Sequence, residues 1–157
     1  PNINYMSIDI NPEKRNTMRK EDLTKVSFPD NSFGLIYCSH VLEHVKEDLK
    51  AMREIYRILR KGGTAILQIP LFDIDNTIED KNYDEEKKIE LFGQKDHVRA
   101  YGKDYVNRLS SVGFKVNVNR FIDTLSSKQK KRFGLVHDIS TTPFKLAEQE
   151  NIFECRK

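Results

Sequence analysis

A continuous apolar run, Phe33 to Cys38, and a second strand-like run, Thr64 to Ile69, flank a segment whose apolar residues recur at three and four. Leu49, Met52, Tyr56 and Leu59 share one side of that segment, with Lys, Arg and Glu between them, so Val45 to Arg60 is predicted to be an amphipathic helix. Lys61, Gly62 and Gly63 stop it, with basic residues at the end of the helix and glycine beyond it. A continuous apolar strand is expected to be buried on both faces. Such strands, separated by a helix of this kind, predict an α/β fold with a mostly parallel sheet and helices on its faces.

The rest of the chain extends this pattern. Tyr5 to Ile10 is a short strand candidate that runs into the Asn11-Pro12 turn, and Thr17 to Leu23 is a weaker one. Lys103 to Val112 reads as a helix closed by Gly113, Lys115 to Ile122 as a strand, Ser126 to Leu135 as a weak basic helix or loop, and Asn151 to Cys155 as a last strand. Residues 136–149, with Pro143, read as irregular. Residues 71–102 are polar and acidic in the middle, with a short helix expected around Tyr83 to Leu91. A long segment of this kind inside a compact domain reads as a lid or substrate insertion. The 157 residues are otherwise expected to form one domain, 1–157.

Composition excludes several classes. The 27 basic and 24 acidic residues leave a net charge of +3, too mild and too well mixed to indicate a nucleic-acid or membrane partner. Nine Phe and six Tyr argue against disorder. Two cysteines, Cys38 and Cys155, cannot make a disulfide scaffold; both lie in apolar runs and read as buried thiols, which suits a reducing, cytoplasmic location. No stretch approaches the length of a membrane span and no signal peptide is visible. The chain starts at Pro1, which suggests that the natural N-terminus lies upstream.

Open α/β sheets bind ligands at the carboxyl ends of their strands. Asp9, Asp22 and Leu23, Ser39 and His40, and Pro70 with Leu71 occupy those ends. A carboxylate there can accept both hydroxyls of a ribose diol. A second Asp one strand on can receive an adenine amino group, with Ile10 and Leu23 as apolar walls. Against this, an Asp before Asn-Pro is often simply a turn-former. His40 and His44, four apart, would share a helix face and invite a metal reading. No Cys or further His lies at helpful spacing and Glu43 would point elsewhere, so no metal site is expected. Neither a Gly-x-Ser-x-Gly elbow nor a phosphate-binding Gly-x-x-x-x-Gly-Lys is present.

Four motifs, taken in order, carry a resemblance. They are SIDINP over Ser7–Pro12, DLTKVSFPDNSF over Asp22–Phe33, LIYCSHVLEHV over Leu35–Val45 and ILRKGG over Ile58–Gly63; DHVRAYG over Asp96–Gly102 follows. The chain resembles the class I S-adenosylmethionine-dependent methyltransferases, and within them the small-molecule group often called type 11. The likeness runs through most of residues 5–122 and returns at 151–156.

The resemblance implies a Rossmann-like, three-layer αβα sheet with an antiparallel last strand. It implies methyl transfer from S-adenosyl-L-methionine, with S-adenosylhomocysteine as product, to a small polar molecule. Asp9 and Ile10 then lie at the ribose, Asp22 and Leu23 at the adenine, and Ser39 and His40 beside the methionine and sulfonium. His97 is the expected general base, needed only for an oxygen or nitrogen acceptor that must lose a proton. Arg99 would bind an anionic substrate and Tyr101 would wall its pocket; alternatively, Asp96 and His97 simply pack the loop. Asp73 and Asp75 read as a solvated loop.

One departure stands out. The family's first strand and glycine-rich loop should precede Asp9, where only eight residues stand and none is Gly. That strand is central, so the second strand is expected either to close against the fourth or to leave a slot that a second copy fills; a homodimer is thereby favoured. The chain by itself is expected to bind the cofactor poorly. Two alternatives remain open: a cofactor-free remnant or interaction module with this fold, and a nicotinamide-dependent oxidoreductase, which also places an acid on a ribose. The Asp22 motif and the LEHV and LRKGG strings favour the methyltransferase.

Overall fold

The computed structural model describes residues 4–79, 82–133, 135 and 151–157. The irregular segment expected over 136–149 lies outside the described residues. In chain order the elements are β1 (Ile8–Asp9), α1 (Pro12–Arg15), β2 (Arg19–Lys20), β3 (Phe33–Ser39), a 3-10 turn (Leu42–His44), α2 (Asp48–Ile58) and β4 (Leu59–Gln68). There follow β5 (Ile78–Glu79), α3 (Glu85–Phe92), β6 (Arg99–Ala100), α4 (Tyr105–Ser111), β7 (Lys115–Asn119), a second 3-10 turn (Phe121–Thr124), α5 (Ser127–Arg132) and β8 (Ile152–Arg156). No helix among the described residues is long and apolar enough to cross a membrane.

The main sheet has the order β3-β4-β8-β7. β3 and β4 run parallel, joined through α2 as the apolar–amphipathic–apolar pattern requires, and β8 enters antiparallel to both neighbours. β1 and β2 form a separate parallel pair with register Ile8↔Arg19 and Asp9↔Lys20. The second strand therefore does not close up against β3: among the described residues, β3 has a ladder only on its β4 side.

The core lies between this sheet and the helices α2 and α4. Cys38, Ala65, Leu67, Phe153 and Cys155 meet Ala51, Met52 and Ile55 of α2 and Tyr105 and Leu109 of α4. Both cysteines are free and buried, and burial pushes each thiol up to about 12. On β3 the alternate residues behave differently. Leu35 and Tyr37 stay 67% and 71% exposed, so this strand is not buried on both faces as its continuous apolarity suggests.

The predicted helix over 45–60 begins later, at Asp48, because residues 42–44 tighten into the 3-10 turn. At its other end, Gly63 lets the chain pass close to β3: a Cβ there would sit 2.9 Å from the Arg60 carbonyl oxygen and 3.0 Å from that of Gly34. The FPDN turn is scaffolding. Arg57 of α2 donates to the Phe28 and Val26 carbonyls and pairs with Asp30 and Glu54. In the 71–102 segment, β5 pairs antiparallel with β6, and Phe72, Phe92 and Ala100 form a small second core.

Candidate functional site

Two places gather the side chains singled out by the sequence. The first is the end of the β1–β2 pair. Asp9 closes β1 half-buried, and its backbone carbonyl accepts from the Glu21 N–H at 3.0 Å, which brings Asp9 next to Asp22. Each acid spends one oxygen on its own turn. Asp9 Oδ1 accepts from the Asn11 N–H at 2.6 Å; Asp22 Oδ1 accepts from the N–H and hydroxyl of Thr24, both at 2.8 Å. Those Thr24 hydrogen bonds hold the Asp22 carboxyl below its ordinary range. The turn-forming role is thus real for both acids, and Oδ2 of each has no hydrogen-bond partner among the described residues. Ile10 is exposed, while Leu23 packs against the main core.

The second place follows β3. Ser39 ends the strand opposite Gln68, and the His40 N–H donates to the Gln68 carbonyl at 3.0 Å. His40 takes a left-handed φ of 53°, a strained conformation for such a side chain, and its ring is largely exposed. The strain arises where the chain leaves the sheet and tightens into the 3-10 turn. His40 and His44 therefore do not share a helix face. Instead His97 reaches this turn from the 71–102 segment: the Val98 N–H donates to the Glu43 carbonyl at 2.9 Å, and the His44 and His97 rings meet edge to face at 4.7 Å.

His97 is buried, with Nδ1 3.0 Å from the Phe92 carbonyl. A carbonyl only accepts, so Nδ1 carries the proton and Nε2 is the nitrogen left for chemistry. Burial, with the neighbouring His44, lowers its pKa and favours the neutral ring. Sequence reasoning missed Glu43 and His44 as partners of His97. The signal was the His40-x-x-Glu43-His44 spacing, but nothing local announces a ligand that arrives about fifty residues later.

Arg99 and Tyr101 are placed otherwise than expected. Arg99 is 2% exposed and donates to the carbonyls of Leu42, Val45 and Lys46 and to Glu79. These hydrogen bonds fasten the 3-10 turn, and Arg99 also borders the groove beside α2. Tyr101 is fully buried, and its hydroxyl donates to Asp48 at 2.8 Å. Asp48 also accepts two-pronged hydrogen bonds from Arg108 at 2.9 Å. Burial alone would raise the Asp48 pKa, but Arg108, Arg99 and Tyr101 outweigh it and the carboxyl lies below its ordinary value. Asp73 and Asp75 are exposed and pair with Lys103. A groove of about 630 Å³ beside α2, lined by Lys46, Lys50, Arg53, Asn82 and Arg108 among others, includes none of Asp9, Asp22, Ser39 and His40.

The geometry has a counterpart in known proteins. Residues 3–67 match the model of a methyltransferase domain family. An uncharacterized protein of Methanocaldococcus jannaschii is 38% identical over 72 residues, 43% of this chain and 32% of that protein. A ubiquinone/menaquinone biosynthesis C-methyltransferase of Pseudoalteromonas translucida is 42% identical over 57 residues, 36% of this chain and 22% of that protein. The matches thus span about a third or less of these curated relatives. In three dimensions the chain is similar to a SAM-dependent methyltransferase from Archaeoglobus fulgidus, with a TM-score of 0.57 at 14% identity over 96% of this chain and 74% of that one. The fold is accordingly the Rossmann-like α/β fold of these enzymes.

The residues present fit the nucleoside half of S-adenosylmethionine. Two neighbouring carboxylates each keep an oxygen free of protein hydrogen bonds, beside the apolar Ile10 and Leu23.

Proposed function

We propose that this methyltransferase domain moves the methyl group of S-adenosylmethionine to a small polar molecule. The observation that carries the reading is the pair Asp9 and Asp22, brought together at the end of two parallel strands in a segment of methyltransferase sequence. When bound, the cofactor supplies an activated methyl on a sulfonium. Asp9 Oδ2 accepts from the ribose hydroxyls and Asp22 Oδ2 from the adenine amino group, with Ile10 and Leu23 against the ring. Ser39 and His40 border the methionine side. In-line displacement depends chiefly on holding donor and acceptor in line. The well-mixed charge of +3 favours a small acceptor over a nucleic acid. His97 lines the acceptor side, its ring fixed through Nδ1. Arg99 and Tyr101 serve the site indirectly, by holding the 3-10 turn and α2 in place.

Calorimetric titration of S-adenosylhomocysteine into this chain tests the reading. Binding is expected, through the nucleoside half of the cofactor. Asp9→Ala should weaken it ten- to a hundredfold, the value of roughly 1.5–3 kcal/mol for hydrogen bonds to a charged group. Affinity that is unchanged in Asp9→Ala would remove the ribose role, and no binding by the folded parent chain would remove the cofactor reading.

A further inference from the structure

Glu43 presents a problem that the methyl-transfer reading does not solve. Its side chain is 1% exposed, and neither carboxylate oxygen has a hydrogen-bond partner among the described residues. His40 Nδ1 approaches Oε1 to 3.3 Å without hydrogen-bond geometry. A buried carboxylate left in this state costs several kcal/mol, so native structures supply such a group with donors or a cation.

Two imidazoles stand next to it. His44 Nδ1 lies 3.2 Å from the Asp96 carbonyl and 3.4 Å from the Asp96 carboxylate, and His97 Nδ1 lies 3.0 Å from the Phe92 carbonyl. Both Nδ1 atoms therefore carry protons, and both Nε2 atoms keep a lone pair. One donor atom from each of Glu43, His44 and His97 falls within a 4.8 Å span. The halves of the cluster are fastened together by the Val98 N–H to Glu43 carbonyl bond and by the Arg99 bonds to Leu42 and Lys46.

We propose that Glu43, His44 and His97 form a binding site for a divalent transition-metal cation of the Zn²⁺ type, through one carboxylate oxygen and the two Nε2 atoms. Two imidazoles with one carboxylate suit zinc or cobalt, and calcium and magnesium prefer all-oxygen sets. Tetrahedral zinc, with bonds of about 2.0–2.1 Å, holds its ligands about 3.3 Å apart, so small side-chain movements close the cluster. The Nδ1 contacts to a carboxylate and to carbonyls are the outer-shell bonds that orient metal-bound histidines. Three protein donors leave a fourth position, as in catalytic rather than structural zinc sites. Cation binding stands apart from the methyl-transfer reading; the open position deepens that reading where an acceptor oxygen or nitrogen fills it. A ligated Nε2 cannot also serve as a base, and the site assigns His97 to the metal.

The full chain, stripped with chelator and desalted, is titrated with Co²⁺ and then with Zn²⁺. The expected result is a visible absorption band of four-coordinate intensity that saturates at one equivalent of Co²⁺ and is bleached by Zn²⁺, with a higher thermal midpoint in Zn²⁺. Glu43→Gln and His44→Ala should each lower the affinity at least a hundredfold, and Asp96→Asn by ten- to a hundredfold. His44 is partly exposed, so its variant keeps the fold and reads the site even where Glu43→Gln does not. Asp9→Ala should keep the band, so failure of the cofactor reading leaves this result distinct. Absence of the band and of thermal stabilisation in the parent chain, or equal affinity in His44→Ala, overturns the proposal.

Discussion

The 3-10 turn Leu42–His44 has two sides that treat charge in opposite ways. Toward α2 and α4, Arg99, Asp48, Arg108 and Tyr101 form a closed network in which Arg99 alone makes four hydrogen bonds. Toward His40 and His97, the buried Glu43 carboxylate has none among the described residues. Both sides are buried and both include residues of the 97–101 segment. The contrast separates scaffold from site: a satisfied buried ion adds rigidity and binds nothing further, whereas an unsatisfied one carries a cost that a ligand can relieve.

Breaking the scaffold side should have the largest effect. Arg99→Ala takes the side-chain donor from the Val45 and Lys46 carbonyls and one cationic partner each from Glu79 and Asp48, and a loss of about 3–5 kcal/mol is expected, as for breaking a buried pair. Urea unfolding would measure it. A loss under 1 kcal/mol would mean that Arg99 is free to do other work, and the substrate role expected from sequence would return.

Asp48→Asn comes next, at about 2 kcal/mol, since it removes charge from hydrogen bonds with Arg108 and Tyr101 without removing the side chain. This effect has a pH signature. The folded Asp48 carboxyl lies below its unfolded value, so its contribution is complete above the unfolded pKa near 3.9 and is lost as pH falls through the folded value. The stability gap between parent and variant should be constant from neutral pH down to about pH 5 and close in stronger acid. A gap that widened in acid would reverse the assigned direction.

The same contrast explains what could be read from the sequence. The β3–α2–β4 unit was legible because its signals are local, apolar runs and a helical period, although the helix ends at Ile58 and the expected stop at Gly62-Gly63 lies inside β4. Asp9 and Asp22 were legible as strand-end acids for the same reason. The exposed face of β3 was not, because Leu35 and Tyr37 are as apolar as the buried Cys38, and burial depends on what lies opposite. The buried network of Arg99 and Tyr101 was not legible, since a basic and an aromatic side chain look alike in a pocket wall and in such a network. The Glu43–His44–His97 cluster was hidden most deeply: its parts come from two segments about fifty residues apart, and only the tertiary fold shows Glu43 turned inward.

The smallest expected effect sharpens the comparison most. Glu43→Leu replaces an unpaired buried carboxylate with an apolar side chain, and in metal-free protein this should raise stability by about 1 kcal/mol. The gain is modest because the shorter side chain gives up some packing. Added Zn²⁺ should then stabilise the parent chain and leave the variant unchanged, so that the order of the two midpoints reverses. Residues kept for binding show this pattern, in which function is held at the expense of the unliganded fold. If Glu43→Leu instead destabilised the metal-free protein by 2 kcal/mol or so, the carboxylate would have a partner in solution, and the turn would be scaffold on both sides.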